Sequence, residues 1–174
     1  MVSLPIPLER DIFLRTLLRH LAGSLEEIIG IDNASGFISY VGQQMGDEID
    51  KTYKQSLQIN QLSRADVASV LVDLKQRIQG DFYIVSEDED KIVLSTNSCP
   101  FGDKVKGRPS LCMMTSNVFG TIAANNLGYA KVVLNETIAA GHSGCLVTVH
   151  LQQNEKVDLE VGNEYFRSTP FEAS

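Results

Sequence analysis

The sequence predicts an α+β fold in which N-terminal helices pack on an antiparallel sheet. Up to about residue 80, apolar residues recur at three- and four-residue spacing, which is typical of helices with one buried face. From residue 82 onward, short β-prone runs and turn residues alternate in a hairpin–helix–hairpin order. We therefore expect a single α+β domain over residues 1–152, followed by a polar C-terminal tail over 153–174.

The first predicted helix spans Leu8 to Ile29. Its apolar residues form one stripe, which we expect to face the core, while Arg15 and Arg19 fall mostly on the opposite side. The Gly23-Ser24 pair interrupts this pattern and predicts either a kinked helix or two short ones.

Two more helices follow. One begins near Ala34 and runs to about Leu57, and its three glycines indicate close backbone packing: Gly36, Gly42 and Gly46. The other begins after Ser63, a favourable N-cap residue with Asp66 three positions later, and it ends at Gly80.

The predicted sheet comes from four β-prone segments. Residues 82–85 and 92–96 form the first hairpin, and residues 130–138 and 146–151 form the second. A fourth helix over about 110–126 separates the two hairpins. This order predicts antiparallel pairing.

The composition excludes several classes of protein. The chain has 174 residues, a net charge of -7 and a pI of about 4.9, and its Lys and Arg residues are scattered, so we expect no nucleic-acid partner. The apolar runs are too short to cross a membrane, and no signal segment opens the chain. Three cysteines, an odd number at irregular spacing, indicate the reducing cytoplasm rather than a secreted disulfide framework.

Three cysteines lie where predicted elements begin or end. Cys99 opens a tight turn, Cys112 lies just inside the start of the fourth helix, and Cys145 begins the last strand. In the predicted topology all three meet at one end of the sheet, which indicates a metal or redox centre. The alternative is that they are unrelated buried cysteines acting as small hydrophobes.

Thiolates are the ligands expected of a zinc site or an iron–sulfur cluster. A helix N-terminus at Cys112, together with nearby Lys104, Lys106 and Arg108, would lower the thiol pKa values. We expect zinc, with an iron–sulfur cluster as the alternative. The candidates for a fourth ligand are His142, Glu136, Asp103 and water.

An apolar ligand pocket is a second possibility for the same fold. It would lie between the helices and the sheet and would be lined by Phe37, Val41, Met113 and Phe119. Simple core packing of these residues is the alternative. The sequence contains no Gly-x-Ser-x-Gly elbow, phosphate-binding loop, dinucleotide fingerprint or His-Glu-x-x-His motif, so an enzyme is not favoured.

Four short motifs resemble the methanogen output domain family: Cys99-Pro100-Phe101-Gly102, Leu111-Cys112, Gly128-Tyr129-Ala130 and Gly141-x-x-x-Cys145. The resemblance extends from the opening around Leu4 to about Leu151, and the family is similar to the 4-vinyl reductase sensory domains. It implies the α+β ligand-binding fold of haem-based nitric-oxide sensors and vesicle-tethering subunits. It also implies a role in signalling rather than catalysis.

The resemblance also implies a zinc-ligand pattern. In vinyl reductase-type sensors zinc is held by an early cysteine and a later Glu-x-x-Cys-x7-Cys motif, and Cys112 and Cys145 match the first and last ligands. Leu134 and Thr137 stand at the positions of the glutamate and the middle cysteine, and Cys99 resembles a partial substitute.

The leading functional hypothesis is a small cytoplasmic sensory or output module with a cysteine-bound metal, which couples a ligand or redox state to an unidentified signalling protein. A homodimer through the helical N-terminus is also predicted. The alternatives are an apolar small-molecule or tetrapyrrole-related binding protein or enzyme, and an iron–sulfur redox sensor.

Overall fold

The computed structural model describes residues 9–167 and shows helices packed on a five-stranded antiparallel sheet, which confirms the predicted α+β fold class. Its helices are α1 (Arg10–Ile29), α2 (Ile31–Leu57), α3 (Arg64–Arg77), α4 (Cys112–Leu127) and the short α5 (Glu155–Asp158). Its strands are β1 (Tyr83–Glu87), β2 (Lys91–Thr96), β3 (Tyr129–Glu136), β4 (Cys145–His150) and β5 (Asn163–Phe166). The predicted helix start at Leu8 and the last part of the predicted tail, 168–174, lie outside the described residues.

The strand order β1-β2-β4-β3-β5 and the register of β2 with β4 decide which side chains face the helices. Leu94 pairs with Val147, and Thr96 pairs with Cys145. Leu94, Val147 and Thr96 are all buried, and successive side chains of a strand point to opposite faces. The Cys145 thiol therefore lies on the core face of the sheet.

Helix α4 is the centre of the domain. It packs against α2 and α3 and against strands β3 and β5, and it is buried over most of its length. Its Phe119 makes an edge-to-face contact with Phe82, with ring centroids 5.7 Å apart. Helix α3 begins as predicted, because Ser63 and Asp66 form a reciprocal capping box.

Glycines allow α2 and α4 to approach closely. A Cβ atom on Gly42 would lie 2.8 Å from Asn117 Cβ, and one on Gly46 would lie 2.8 Å from Thr121 Cβ. The predicted close packing is thus confirmed at these two positions. It is wrong at Gly36, where a Cβ atom would meet nothing within 4 Å.

Helix α1 is oriented opposite to the prediction. Its leucine-rich stripe faces solvent, and the exposed side chains are Phe13, Leu14, Leu17, Leu18 and Leu21, each between 41% and 55% exposed. The side that faces the domain contains Arg15, Arg19, Ala22, Gly23 and Glu26. The reason is that the neighbouring segment 102–110 presents backbone carbonyls and polar side chains to this helix.

Of the two alternatives predicted at Gly23-Ser24, two short helices are wrong, because α1 continues to Ile29. Gly23 instead gives room to Arg108, whose guanidinium would lie 2.8 Å from a Cβ atom there. The chain breaks at Gly30, where φ is +80°. None of the described helices is both long and apolar enough to cross a membrane.

The segment predicted as a polar tail contains two elements of the domain. Asn154 caps α5 by accepting hydrogen bonds from the backbone N–H groups of Lys156 and Val157. Strand β5 then pairs with β3, and its Tyr165 ring occupies the space left by the missing side chain of Gly120. The sequence did not predict this strand, because it has only four residues, its neighbours are polar, and its pairing depends on β3, which is distant in the sequence.

Candidate functional site

Three cysteines from three separate segments line one pocket at the end of the sheet. We call it the thiol pocket: it is lined by Cys99, Cys112 and Cys145, by three threonines, and otherwise by apolar side chains. The threonines are Thr96, Thr115 and Thr137. The enclosed volume is about 30 Å³, which is enough for one or two water-sized groups.

Each thiol is positioned by a different local structure. The Cys99 carbonyl accepts a hydrogen bond from Gly102 N–H at 2.7 Å, in a turn that requires a φ of +55° at Gly102. Cys112 begins α4 directly after a 3-10 turn at Pro109–Leu111. Cys145 begins β4, and its Sγ accepts a hydrogen bond from Ile138 N–H at 3.4 Å.

Burial keeps two of these thiols protonated at neutral pH. It raises the pKa of Cys112 to about 12, and the negative charge that Cys145 and Cys99 would carry as thiolates adds to this rise. Burial also raises the pKa of Cys99. The expectation that the helix N-terminus and nearby basic residues lower these pKa values is therefore wrong, because desolvation is the larger effect.

A buried lysine lies beside the three thiols. Lys75 is only 4% exposed, and its Nζ donates a hydrogen bond to Thr115 Oγ1 at 2.8 Å. The ammonium lies 5.4 Å from the centroid of the Phe82 ring and 5.2 Å from that of Phe119. Among the described residues, no carboxylate forms an ion pair with it.

Burial lowers the pKa of Lys75 to about 8, and charge on the thiols would raise it again. The ammonium and the thiols therefore influence each other electrostatically. Sequence reasoning missed this residue, although a signal was present: Lys75 follows Val67 and Leu71 at four-residue intervals, on the buried face of α3. A lysine in an apolar stripe is either buried and functional, or it lies at the edge of the stripe and reaches solvent.

Polar contacts fasten the segment that covers the pocket to α1. This cover segment, residues 99–111, contributes Cys99, Pro100, Phe101, Val105 and Leu111 to the pocket wall. Arg19 donates hydrogen bonds to the carbonyls of Lys104, at 2.6 Å, and Lys106, at 2.8 Å.

Glu26 makes a second connection between α1 and the cover segment. Its carboxylate accepts a hydrogen bond from Ser110 Oγ at 2.5 Å, and it pairs with Arg108 at 3.3 Å. A displacement of the cover segment therefore acts directly on α1.

The other candidate metal ligands lie outside the pocket wall. His142 and Glu136 are exposed, and the His142 ring contacts the Thr137 carbonyl at 3.1 Å. Asp103 is exposed and pairs with Lys106. Within residues 9–167, no group of three or more His, Cys, Asp or Glu side chains is arranged to hold a metal ion.

The four residues predicted to line an apolar pocket differ in exposure. Phe37 and Val41 are exposed on α2, and Met113 is partly buried at the start of α4. Phe119 is fully buried in the main core. None of the four lines the thiol pocket.

Comparison with known protein families places the chain in the class of output domains. Residues 17–150 match methanogen output domain 1, and the chain belongs to this family. The positions at which the resemblance places the missing zinc ligands, Leu134 and Thr137, both line the thiol pocket. No curated protein matches the chain.

Solved structures of two other proteins share the fold. One is the phenol-responsive sensory domain of the transcription activator PoxR with phenol, at 16% identity and a TM-score of 0.63, covering 88% of this chain and 80% of that one. The other is a trafficking protein particle complex subunit 3 from Naegleria fowleri, covalently bound to palmitic acid, at 13% identity and a TM-score of 0.55. That match covers 90% of this chain and 99% of the other.

Proposed function

We propose that the protein is a sensory and output module whose sensing site is the thiol pocket, and that the ligand sensed is a thiophilic divalent metal ion, zinc first among them. The observation that supports this most is the arrival of three thiols from three separate segments in one pocket. Cys99, Cys112 and Cys145 would hold the ion, since thiolates are the preferred protein ligands of zinc.

Charge balance supports a metal ion in this pocket. Three thiolates around a divalent cation carry one net negative charge, and such a charge is costly in an apolar interior unless it is compensated. Lys75 supplies a buried ammonium that pairs with no carboxylate of the described chain. The lysine and the thiols are therefore complementary only when the thiols have lost their protons.

The pocket volume also favours an ion over an aromatic ligand. At about 30 Å³ it is far smaller than the engineered apolar cavities of about 150 Å³ that bind benzene. An apolar ligand such as phenol would require the cover segment to open.

The thiols are not yet grouped as metal ligands, so binding would require them to move together. Two of the three belong to or adjoin the cover segment, and Arg19 and Glu26 connect that segment to α1. We propose that this movement is the signal, which α1 passes to a partner protein.

The test is zinc binding by the full chain, purified without air and freed of metal. We expect one ion per chain in competition with a chromogenic chelator, and a loss of affinity of at least about tenfold in each of Cys99→Ser, Cys112→Ser and Cys145→Ser. The loss should be larger at Cys112 and Cys145 than at Cys99. His20→Ala, which removes a metal-capable side chain from α1, should bind like the parent.

Three outcomes would overturn the metal assignment. The parent chain does not bind zinc, all three serine variants bind zinc as tightly as the parent, or freshly purified protein has the visible absorption spectrum of an iron–sulfur cluster. Binding of phenol that is lost in the cysteine variants, without any metal, would replace the metal by an apolar ligand at the same site. Circular dichroism of each variant identifies loss of binding that comes from unfolding.

A further inference from the structure

The two N-terminal helices together present a large apolar face to solvent. On α1 and on α2 up to Met45, eleven large apolar side chains are between 41% and 79% exposed: Phe13, Leu14, Leu17, Leu18, Leu21, Ile28, Ile31, Phe37, Tyr40, Val41 and Met45. Meanwhile the side of α2 that faces the domain contains small residues, including Ala34, Gly42 and Gly46. Most of the larger apolar residues of α1 and of α2 up to Met45 therefore point outward, while Ile38 of α2 is buried.

The exposed area matches what a stable dimer requires. At roughly 80 Å² each, about half the area of a large side chain, the eleven residues expose roughly 900 Å² together. A standard protein–protein interface buries about 800 Å² per partner. The largest apolar patch of an ordinary monomer covers only about 300–600 Å².

The composition of this face favours a second copy of the chain. Between Phe37 and Met45 the chain contains no charged residue, and the two arginines between Phe13 and Leu21 lie on the side of α1 that faces the domain. A face without charges contains no pattern that a different, charge-complementary partner would need to match. A two-fold symmetric dimer requires only that one patch be complementary to itself, which an apolar helical surface satisfies readily.

We propose that the outward face of α1 and the N-terminal part of α2 is the interface of a homodimer. This inference does not depend on the metal assignment, since none of the eleven exposed residues lines the thiol pocket. It assigns to α1 two opposite surfaces: a polar one on the cover segment and an apolar one on the second chain.

Size-exclusion chromatography with light scattering, on metal-free full chain at several concentrations, tests the proposal. We expect a mass of twice 19.1 kDa. Leu17→Glu and Phe37→Glu should each raise the dimer dissociation constant about 100-fold. Leu159→Glu is the matched control, because Leu159 is apolar and 86% exposed but lies outside the face, and it should remain dimeric.

A parent chain that stays monomeric at all concentrations would overturn the proposal. So would a dimer that Leu17→Glu and Phe37→Glu leave intact, because the contact would then lie elsewhere. The other candidate to cover the face is the segment of residues 1–8, and a chain that lacks these residues tests it. Dimerisation only after this deletion would mean that this segment, and not a second chain, covers the face. Circular dichroism confirms that the charged variants remain folded.

Discussion

Lys75 lowers the stability of the fold and, in the proposed function, supports metal binding. Its ammonium is buried, and its polar contact is a single hydrogen bond to Thr115. The fall in its pKa from 10.5 to about 8 corresponds to about 3 kcal/mol of destabilisation when it is charged. Favourable contacts with the rings of Phe82 and Phe119 offset about 2 kcal/mol of this cost.

We predict that Lys75→Met stabilises the protein by about 1 kcal/mol at pH 7 and weakens zinc binding by at least about tenfold. Methionine fills the same volume without a charge. Because the pKa of Lys75 is lower in the folded chain, the unfolded chain binds more protons between pH 8 and 10.5, and the parent gains stability there relative to the variant. Urea unfolding at pH 7 and pH 10 measures both differences.

The exposed Lys51 provides the control for this experiment, since Lys51→Met should change neither stability nor its pH dependence. A Lys75→Met protein that binds zinc like the parent would remove the charge-balance argument.

The three cysteines were recognisable in the sequence because they lie at element boundaries. The position of Lys75 in the apolar stripe of α3 indicated its burial, but its place beside the thiols could not be predicted, because only the folded chain brings α3 to the start of α4 and β4.

At the scale of elements, the contact between α2 and α4 depends on two glycines. Gly42 and Gly46 lie one helical turn apart, and each lies against a side chain of α4. This contact holds α2, and with it the exposed apolar face, on the central helix.

We predict that Gly42→Ala and Gly46→Ala each destabilise the protein by about 1–2 kcal/mol. The added Cβ would have to displace Asn117 or Thr121, at a cost of about 1–3 kcal/mol, which exceeds the gain of about 0.5–1 kcal/mol from replacing glycine in a helix. Thermal unfolding measures the effect. Gly36→Ala on the same helix is the matched control and should stabilise the protein by about 0.5 kcal/mol. If Gly36→Ala destabilised the protein as much as the other two variants, the loss of stability would not come from the contact between α2 and α4.

Hydrophobic periodicity correctly predicted the positions of α1 and α2 but not what covers their stripes. An apolar stripe indicates that a face is buried in the working molecule, and the partner can be the same chain or another one. For α1 the arginines at 15 and 19 were assigned to solvent because charged groups usually prefer water. Arg19 faces the domain because the cover segment offers it two backbone carbonyls, whereas Arg15 pairs with Asp11 of α1 itself.

At the scale of the whole molecule, strand β5 completes the domain beyond residue 152, where the predicted domain ends. Tyr165 packs on Gly120 of α4, and its phenol forms a 2.9 Å hydrogen bond with Ser116 Oγ. Burial raises the pKa of this phenol to about 12, so it stays protonated at neutral pH. A boundary at residue 152 therefore cuts through the domain.

We predict that Tyr165→Ala destabilises the chain by about 3 kcal/mol, since it removes an aromatic ring packed against the central helix. Tyr165→Phe, which loses only the hydrogen bond, should cost about 1 kcal/mol. Val161→Ala in the same segment is the control, and it should change stability by less than about 0.5 kcal/mol because Val161 is exposed. Equal unfolding midpoints in urea for all three variants would show that β5 does not contribute to the cooperative unit.

Arg19 bonds two carbonyls of the cover segment through a single nitrogen, so one side chain links the pocket to a helix with an exposed partner surface. We predict that Arg19→Met leaves zinc affinity within about threefold of the parent but abolishes the zinc-dependent change in hydrogen exchange of α1 amides. A change that persists in Arg19→Met would assign the connection to Glu26 or to the backbone. If it disappears, detection and transmission become separable properties: a chain altered at one guanidinium would still recognise its signal and no longer report it.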